Sequence, residues 1–451
     1  MGINKKILLI IFLFSVCFIS AQTTTDTLII KGMMFVRHIV KPNETYNSIS
    51  KKYNVSTKEL KLYNINSKIF YNQSLLIPIK STLSERLLLK NKRTNNLFSI
   101  DSRRWKGSRE NHTLNIAVLL PFYTTKNDSL LSFLSESQQP KEDIYKGSYM
   151  ALNFLEGVII ATDSLNKIGM NINLFVYDTE NDSVKVQQII NAGRLKNIDL
   201  IIGPVFRRNL SKVTKLYGRN QYKIIVSPLS RNTNVLKYGK NVYQIIPPFK
   251  VQIDKNSNYI SKKHKNEKIL ILAKKEEEKY AKQYKSFFRK EKRKVKLCLF
   301  DGLNTITRDT LCKFLTNHKY IVLIPSTDRS FVTKTLTALG TIDTNMIVFG
   351  LHNWRSFGNL DIETLMKLNV HFPDPYYFDY QFPENKKFIS LFKDRFHALP
   401  NKYAQMAFQQ CMYFCFNKGD YKFKKYYTKG GFVNHHFPIV KYKDYTIVKV
   451  D

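Results

Sequence analysis

The chain has 451 residues, 43% of them hydrophobic and 13% aromatic, a length and apolar content that predict two or three folded domains and exclude a disordered or low-complexity chain. Its formal net charge of +37 invites a nucleic-acid reading, and the basic runs KKHKNEK from Lys262 and RKEKRKVK from Arg289 are of the kind that tracks phosphates. Lys and Arg are nevertheless spread over every segment among abundant Asn and Ile, which reads as a chain-wide composition bias. No nucleic-acid partner is expected; anionic envelope polymers or lipid headgroups suit the charge better.

Residues 1–21 begin with Lys5-Lys6, continue through an apolar run from Ile7 to Ile19 and end on the small residues Ser20-Ala21. This is a secretory signal pattern with cleavage expected after Ala21, and a retained membrane anchor is the alternative. Cys17 follows Phe14-Ser15-Val16, which lacks the Leu and small residue of a bacterial lipobox, so no lipid anchor is expected. No second apolar stretch is long enough to cross a bilayer. The mature chain is therefore expected in the periplasm or cell envelope, with no stable transmembrane segment after signal cleavage.

From His38 to Pro78 the residues describe a small module. Ile39-Val40 form a short β-type run that ends at the turn signal Pro42-Asn43, and Thr45 stands where an N-cap starts a helix. Ile49 and Tyr53 repeat at helical spacing, a second helix begins after Ser56 with Leu60 and Tyr63 facing inward, and the strand Leu75-Leu76-Ile77 is closed by Pro78. The segment 36–80 resembles a LysM domain, a βααβ fold whose family binds N-acetylglucosamine-containing polymers such as peptidoglycan and chitin. Where that family carries glycine this chain has Asn43 and Asn72, the residue type that next best tolerates a left-handed backbone. The resemblance implies a shallow glycan groove between Asn43, Glu44, Thr45 and Tyr46 on one loop and Ile65, Asn66, Ser67 and Ile69 on another. In that groove backbone amides would meet acetamido groups, and Tyr46 or Ile69 would cover an apolar sugar face; the alternative is that both side chains pack the small core.

Residues 81–112 are polar and basic without sustained periodicity and read as a flexible linker, with Leu87-Leu88-Leu89 as a short run able to dock on a neighbour. From Leu114 strands and helices alternate. Strand-length apolar runs occur at 115–120, 172–177, 200–202 and 224–226, and again at 269–272, 295–300, 321–324 and 346–349, each followed by turn residues. Two successive sets predict two lobes of doubly wound α/β structure. The ordered landmarks NIAVLLPF, KGSYMALNF, VYDTEND, LIIGPV, IIVSPLS, KILILA, IVLIPSTD and MIVFGLHNW resemble those of the type I periplasmic binding protein fold. The closing FKDRFHALPNKYAQMAFQQCMYF is similar to its returning helices, with the turn expected at Pro400–Ala404. The fold class is thus α/β, a LysM-like module plus a bilobed domain over 113–451.

In open α/β sheets ligands gather at the carboxyl ends of strands, which in a two-lobed protein line the interlobe cleft. The candidate cleft residues are Pro121, Phe122, Tyr123, Asp178, Thr179, Gly203, Pro204, Ser227, Pro228, Pro325, Ser326 and His352. Two readings stand for Ser227, a hydroxyl on a ligand carboxylate or a turn that caps the next helix, and two for Asp178, partner to a ligand amine or local turn former. Gly203-Pro204 reads as tight backbone geometry. The consecutive small-polar pair that amino-acid binders of this family present to the ligand carboxylate is missing from SPLS.

No Gly-x-Ser-x-Gly elbow, His-Glu-x-x-His helix or phosphate loop is present, so no enzyme, cofactor or metal is expected. His435-His436 would face opposite ways in a strand, and Glu180 and Asp182 read as loop-solvating carboxylates. Cys298, Cys312, Cys411 and Cys415 permit disulfides, although Cys411 and Cys415 stand one helical turn apart in an apolar run and read as core. The expected function is a non-catalytic exported envelope protein that binds peptidoglycan and a small ligand or envelope protein; the alternative is the solute-binding protein of an amino-acid-type ABC transporter.

Overall fold

The computed structural model describes residues 27–30, 33–64, 69–71, 73–79, 113–134, 144–316, 318–417 and 419–451, and the chain divides into two compact units between Ser99 and Ile100. The expected signal segment 1–21, the linker 81–112 with its Leu87–Leu89 run, and Asn72 lie outside the described residues.

The first unit carries a three-stranded antiparallel sheet in which β2 (Met33–Ile39) lies between β1 (Thr27–Ile30) and β3 (Ser74–Ile79). Helices α1 (Tyr46–Tyr53) and α2 (Thr57–Tyr63) connect β2 to β3. The turn before α1 works because Asn43 takes the left-handed backbone at φ 64°. Thr45 then caps the helix: its Oγ1 accepts from Ser48 N, and Ser48 Oγ accepts from Thr45 N. Val40, Tyr46, Ile49, Leu60, Leu75 and Ile77 form the core, while the side chain of Tyr63 lies outside the description. Two boundaries differ from expectation. Pro78 does not close β3 but lies within it opposite Phe35, and β1 precedes the expected first strand. An edge strand tolerates a proline because its missing N–H is not needed for pairing.

The second unit contains two sheets of seven strands. In the first lobe β4 (Thr113–Leu120), β5 (Asn171–Asp178), β6 (Leu200–Ile202), β7 (Ile224–Ser227) and β8 (Val242–Gln244) run parallel in the order β5-β4-β6-β7-β8. In the second, β9 (Lys268–Lys274), β10 (Val295–Phe300), β11 (Tyr320–Leu323), β12 (Met346–Phe349) and β13 (His371–Pro373) repeat the pattern as β10-β9-β11-β12-β13. Both are doubly wound sheets whose order reverses beside the first strand. The eight strands expected from sequence are all present.

Side chains alternate across each strand, so each sheet has two apolar faces. Ala117, Leu119, Ile201 and Ile225 pack against α5 (Ser183–Asn191) and α6 (Arg207–Tyr217), which follow α3 (Thr124–Leu134) and α4 (Tyr149–Lys167) in the chain. In the second lobe Ile269, Ile271 and Ala273 pack with α7 (Phe249–Lys263) and α8 (Glu278–Lys290), whereas Leu270 and Leu272 face α10 (Arg329–Gly340), after the short α9 (Arg308–Cys312). Helix α7 belongs to both cores, since Val251 sits in that of the first lobe and Ile253 and Ile260 in that of the second.

After α11 (Ile362–Lys367) and β13 the chain returns to the first lobe as α12 (Pro383–Phe396) and α13 (Lys402–Phe416). Helix α13 lies so close to α4 that a Cβ on Gly157 would stand 2.1 Å from the carbonyl oxygen of Ala404. The turn between α12 and α13 ends earlier than expected, because Asn401 caps α13 and leaves Ala404 inside the helix. Strands β14 (Phe423–Lys425) and β15 (Phe432–Asn434) extend the first sheet, and β16 (Ile439–Lys443) and β17 (Thr446–Lys449) the second. Cys298, Cys411 and Cys415 are buried, Cys312 is half-buried, and none of the four is joined in a disulfide. Among the described residues no helix is long and apolar enough to cross a membrane.

Candidate functional site

In the first unit two loops are laid side by side by a hydrogen bond from Val40 N to Gln73 O at 2.8 Å. One carries Asn43, Glu44 and Thr45. Glu44 is anchored: its Oε2 lies 2.6 Å from His38 Nε2 and 2.8 Å from Lys41 N, and its Oε1 is 3.3 Å from Lys52 Nζ. Burial pushes the carboxyl up, but the Lys41 amide, His38 and Lys52 outweigh it and hold the pKa down at about 2. Tyr46 is only 8% exposed and its ring fills the core, and Ile69 packs half-buried against that core. Ile65, Asn66 and Ser67 lie outside the described residues.

On the facing loop Phe70 is 63% and Tyr71 72% exposed. The turn that presents them is tied by Gln73, whose Oε1 accepts from Phe70 N at 3.0 Å while its own N–H donates to Phe70 O at 3.1 Å. Two adjacent aromatic side chains exposed to water on one loop are of the type that can cover an apolar sugar face. Asn64, buried just beyond α2, fixes the start of this loop by donating to Leu60 O and pairing with both backbone groups of Leu76. Sequence reasoning missed Phe70, Tyr71, Gln73 and Asn64; the signal available for the rings was an aromatic pair directly before Asn72.

In the second unit the expected cleft residues separate into two sets. Phe122, Tyr123 and Asp178 come together at the ends of β4 and β5. Asp178 accepts from the backbone N–H groups of Phe122, Tyr123, Thr124 and Glu180 and from the Thr124 hydroxyl, so its oxygens are occupied in shaping the turn into α3. Burial raises its pKa, yet the Thr124 and Glu180 amides leave it below the usual carboxylate range. Glu180 does the same for the helix start, with Thr125 the main cause of a pKa near 2. The remaining candidates are buried: Pro121, Thr179, Gly203, Pro204, Ser227, Pro228, Pro325, Ser326 and His352. Ser227 ends β7 with 0% exposure. Gly203 has φ 94° and lies against Leu119, whose carbonyl oxygen would be 2.4 Å from a Cβ, a backbone approach that only glycine permits. Ser326 serves Asp328 N through its hydroxyl and Trp354 Nε1 through its carbonyl.

His352 does take part in a link between the lobes. Burial, with Arg231 beside it, drives its pKa down to about 3, so the ring is neutral near pH 7. Arg231 Nη1, on the loop after β7, donates to Nε2 at 3.3 Å, and Nδ1 donates to Gln252 Oε1 on α7 at 3.0 Å. Gln252 Nε2 passes the chain on to Pro247 O at 3.0 Å. Beside this relay opens a pocket of about 580 Å³ lined by Ser230, Arg231, Phe249, Lys250, Lys279 and Tyr280 among others. These lining residues were not expected from the sequence, because none directly follows a strand. Among the described residues no group of three or more His, Cys, Asp or Glu is placed to hold a metal ion.

Comparison with known families resolves the first unit, where residues 38–78 match the LysM domain model. Residues 38–78 form a LysM domain. The LysM match covers the segment whose capping box, Asn turn and two loops are described above. For the whole chain, no curated protein sequence matches. Solved structures do. An ABC transporter substrate-binding protein from Desulfitobacterium hafniense aligns over 75% of this chain and 100% of its own, at 15% identity and TM-score 0.50. A branched-chain amino acid ABC transporter protein from Rhodospirillum rubrum aligns over 75% and 100% at 11% identity and TM-score 0.53. Full-length LpoA from Haemophilus influenzae aligns over 81% of this chain and 64% of its own, at 12% identity and TM-score 0.48. By the first two of these likenesses the unit that follows the LysM domain has the type I periplasmic-binding-protein fold, and at such identities the likeness concerns the fold alone.

Proposed function

We propose that the chain is a non-catalytic exported cell-envelope protein. Its LysM domain, within 36–80, binds the N-acetylglucosamine glycan of peptidoglycan; residues 113–451 capture a small ligand or a protein partner between their lobes; 81–112 tether the two, and 1–21 direct export. The observation that carries this reading is the pair of abutting loops in the LysM domain with Phe70 and Tyr71 exposed on one and the capped Asn43–Thr45 turn on the other. Glycan binding there uses exposed backbone amides and aromatic faces, which suits a neutral polymer better than the charge on the chain does. The test is sedimentation of the purified chain with purified peptidoglycan. Phe70→Ala with Tyr71→Ala is expected to leave most of the protein in the supernatant, and equal sedimentation of variant and parent overturns the groove.

The amino-acid carrier reading finds less support. A zwitterionic ligand needs one group for its carboxylate and another for its amine, and the two natural candidates are withdrawn: Ser227 is fully buried and Asp178 is saturated by the turn it shapes.

A further inference from the structure

We infer that the interlobe pocket takes a small organic anion, carboxylate or phosphate, carried on an apolar or planar frame. This rests on the reading of the bilobed domain as a ligand-binding unit and names the chemistry of its ligand.

Three exposed cationic residues line the pocket from three separate elements: Arg231 from the loop after β7, Lys250 from the first turn of α7 and Lys279 from the first turn of α8. No carboxylate lies among the residues that line it. Of the acids nearest in sequence, Glu278 pairs with Lys282 at 2.8 Å, Glu277 accepts from the amide and hydroxyl of Thr327, and Asp254 accepts from Gln283 Nε2 at 2.8 Å. Nearby in the same lobe Lys274 pairs with Asp328 and Lys275 with Asp301. Gathering like charges without a counter-charge is unfavourable, and an anion reverses the sign of that term.

The walls supply the rest. Phe249 and Tyr280 meet edge to face with centroids 5.7 Å apart. The guanidinium of Arg231 lies 4.6 Å above the Phe249 ring and is held by His352, so it is pre-organised rather than free to wander. Ser230 and Asn232 add neutral polar groups at the rim. A volume of about 580 Å³ lies in the range of small-molecule sites.

The experiment is calorimetric titration of the full chain with citrate, glucose 6-phosphate and phenyl phosphate, and with glucose, benzyl alcohol and leucine as uncharged or zwitterionic counterparts. At least one anion is expected to bind about tenfold or more tighter than every counterpart, and citrate against the phosphates tells which acid group is preferred. Arg231→Ala with Lys279→Ala is expected to weaken that anion by about tenfold or more, whereas Lys262→Ala with Lys263→Ala, an equal loss of charge at the far end of α7, leaves it unchanged. Equal weakening by both pairs, or neutral compounds binding as tightly as anions, overturns the inference. Binding of leucine alone also overturns it while sparing the ligand-binding reading; binding of none of the probes, with no capture of a protein partner, removes both.

Discussion

Arg231 Nη1 donates to His352 Nε2 across the cleft at 3.3 Å, and because Nδ1 of the same ring donates to Gln252 on the shared helix, the bridge requires a neutral histidine in one tautomer. Burial, first, and the Arg231 charge keep His352 at about 3 and burial keeps His371 at about 4, against 6.5 in an open chain. The unfolded chain therefore binds more protons than the folded one between those values, and stability contributed by both groups is present above about pH 6.5 and lost as pH falls toward 4. The melting temperature of the second unit is expected to fall through this window, with a shallower slope in His352→Gln. Identical slopes would show that the relay does not titrate.

Glu44 couples with the same sign, in a more acidic window. Its folded pKa of about 2 lies below the ordinary 4.5, so its contribution is full above pH 4.5 and disappears as pH falls toward 2. Glu44→Gln is expected to destabilise the LysM domain by roughly 1–3 kcal/mol at pH 7 and to remove most of the difference from the parent below pH 3. Denaturant midpoints at the two pH values measure both.

Thr45 has two duties to separate. Thr45→Arg places a long side chain in the groove but also deletes the helix cap, a loss of about 1 kcal/mol. Thr45→Asp keeps a cap. If the groove is the glycan site, Thr45→Arg will lose peptidoglycan at a temperature where its circular dichroism remains folded, and Thr45→Asp will retain stability. Parallel loss of glycan binding and of structure would assign the effect to the cap alone.

Bulk charge makes a separate prediction. Attraction of a +37 chain to any polyanion is screened by salt, whereas amide and stacking contacts to a neutral glycan are not. Peptidoglycan sedimentation is expected to survive about 0.5 M salt, at which the screening length is only a few ångströms. Complete loss at that ionic strength, matched by binding to an unrelated polyanion at low salt, would mean electrostatic adhesion.

Gly157 is where α4 and α13 touch. A methyl there meets backbone that cannot rotate away, so Gly157→Ala is expected to cost about 1–3 kcal/mol despite the better helix propensity of alanine. A variant as stable as the parent in chemical denaturation would mean that the two helices separate freely.

Much of this architecture was legible because it obeys strong local rules. The parallel strands are continuous apolar runs bounded by turns, and the Thr45 cap and Asn43 turn follow from residue chemistry. The strands that escaped notice are short or unusual. Strands β8 and β13 have three residues each, and β13 ends in proline. The β16–β17 hairpin turns through Asp444-Tyr445 with both residues left-handed, where the customary signal is Asn-Gly or Asp-Gly. The cleft was less legible than the fold. The rule that places ligands at strand ends put forward His352, which joins the two lobes, Ser227, which is buried with no partner for its hydroxyl among the described residues, and Asp178, whose oxygens shape a turn. Arg231, Phe249 and Tyr280 come together only through the packing of a loop, a shared helix and a second lobe, a juxtaposition that no spacing along the chain encodes.

The two sheets are finished by the same short stretch of chain. Strands β14 and β15 complete the first lobe and β16 and β17 the second, all after Lys422. Neither lobe can reach its final topology before residues 423–449 have been made, and a premature stop near that lysine would damage both lobes at once rather than sparing the earlier one. A frameshift just before residue 423 would therefore strip strands from both sheets, although most of each lobe lies upstream of it.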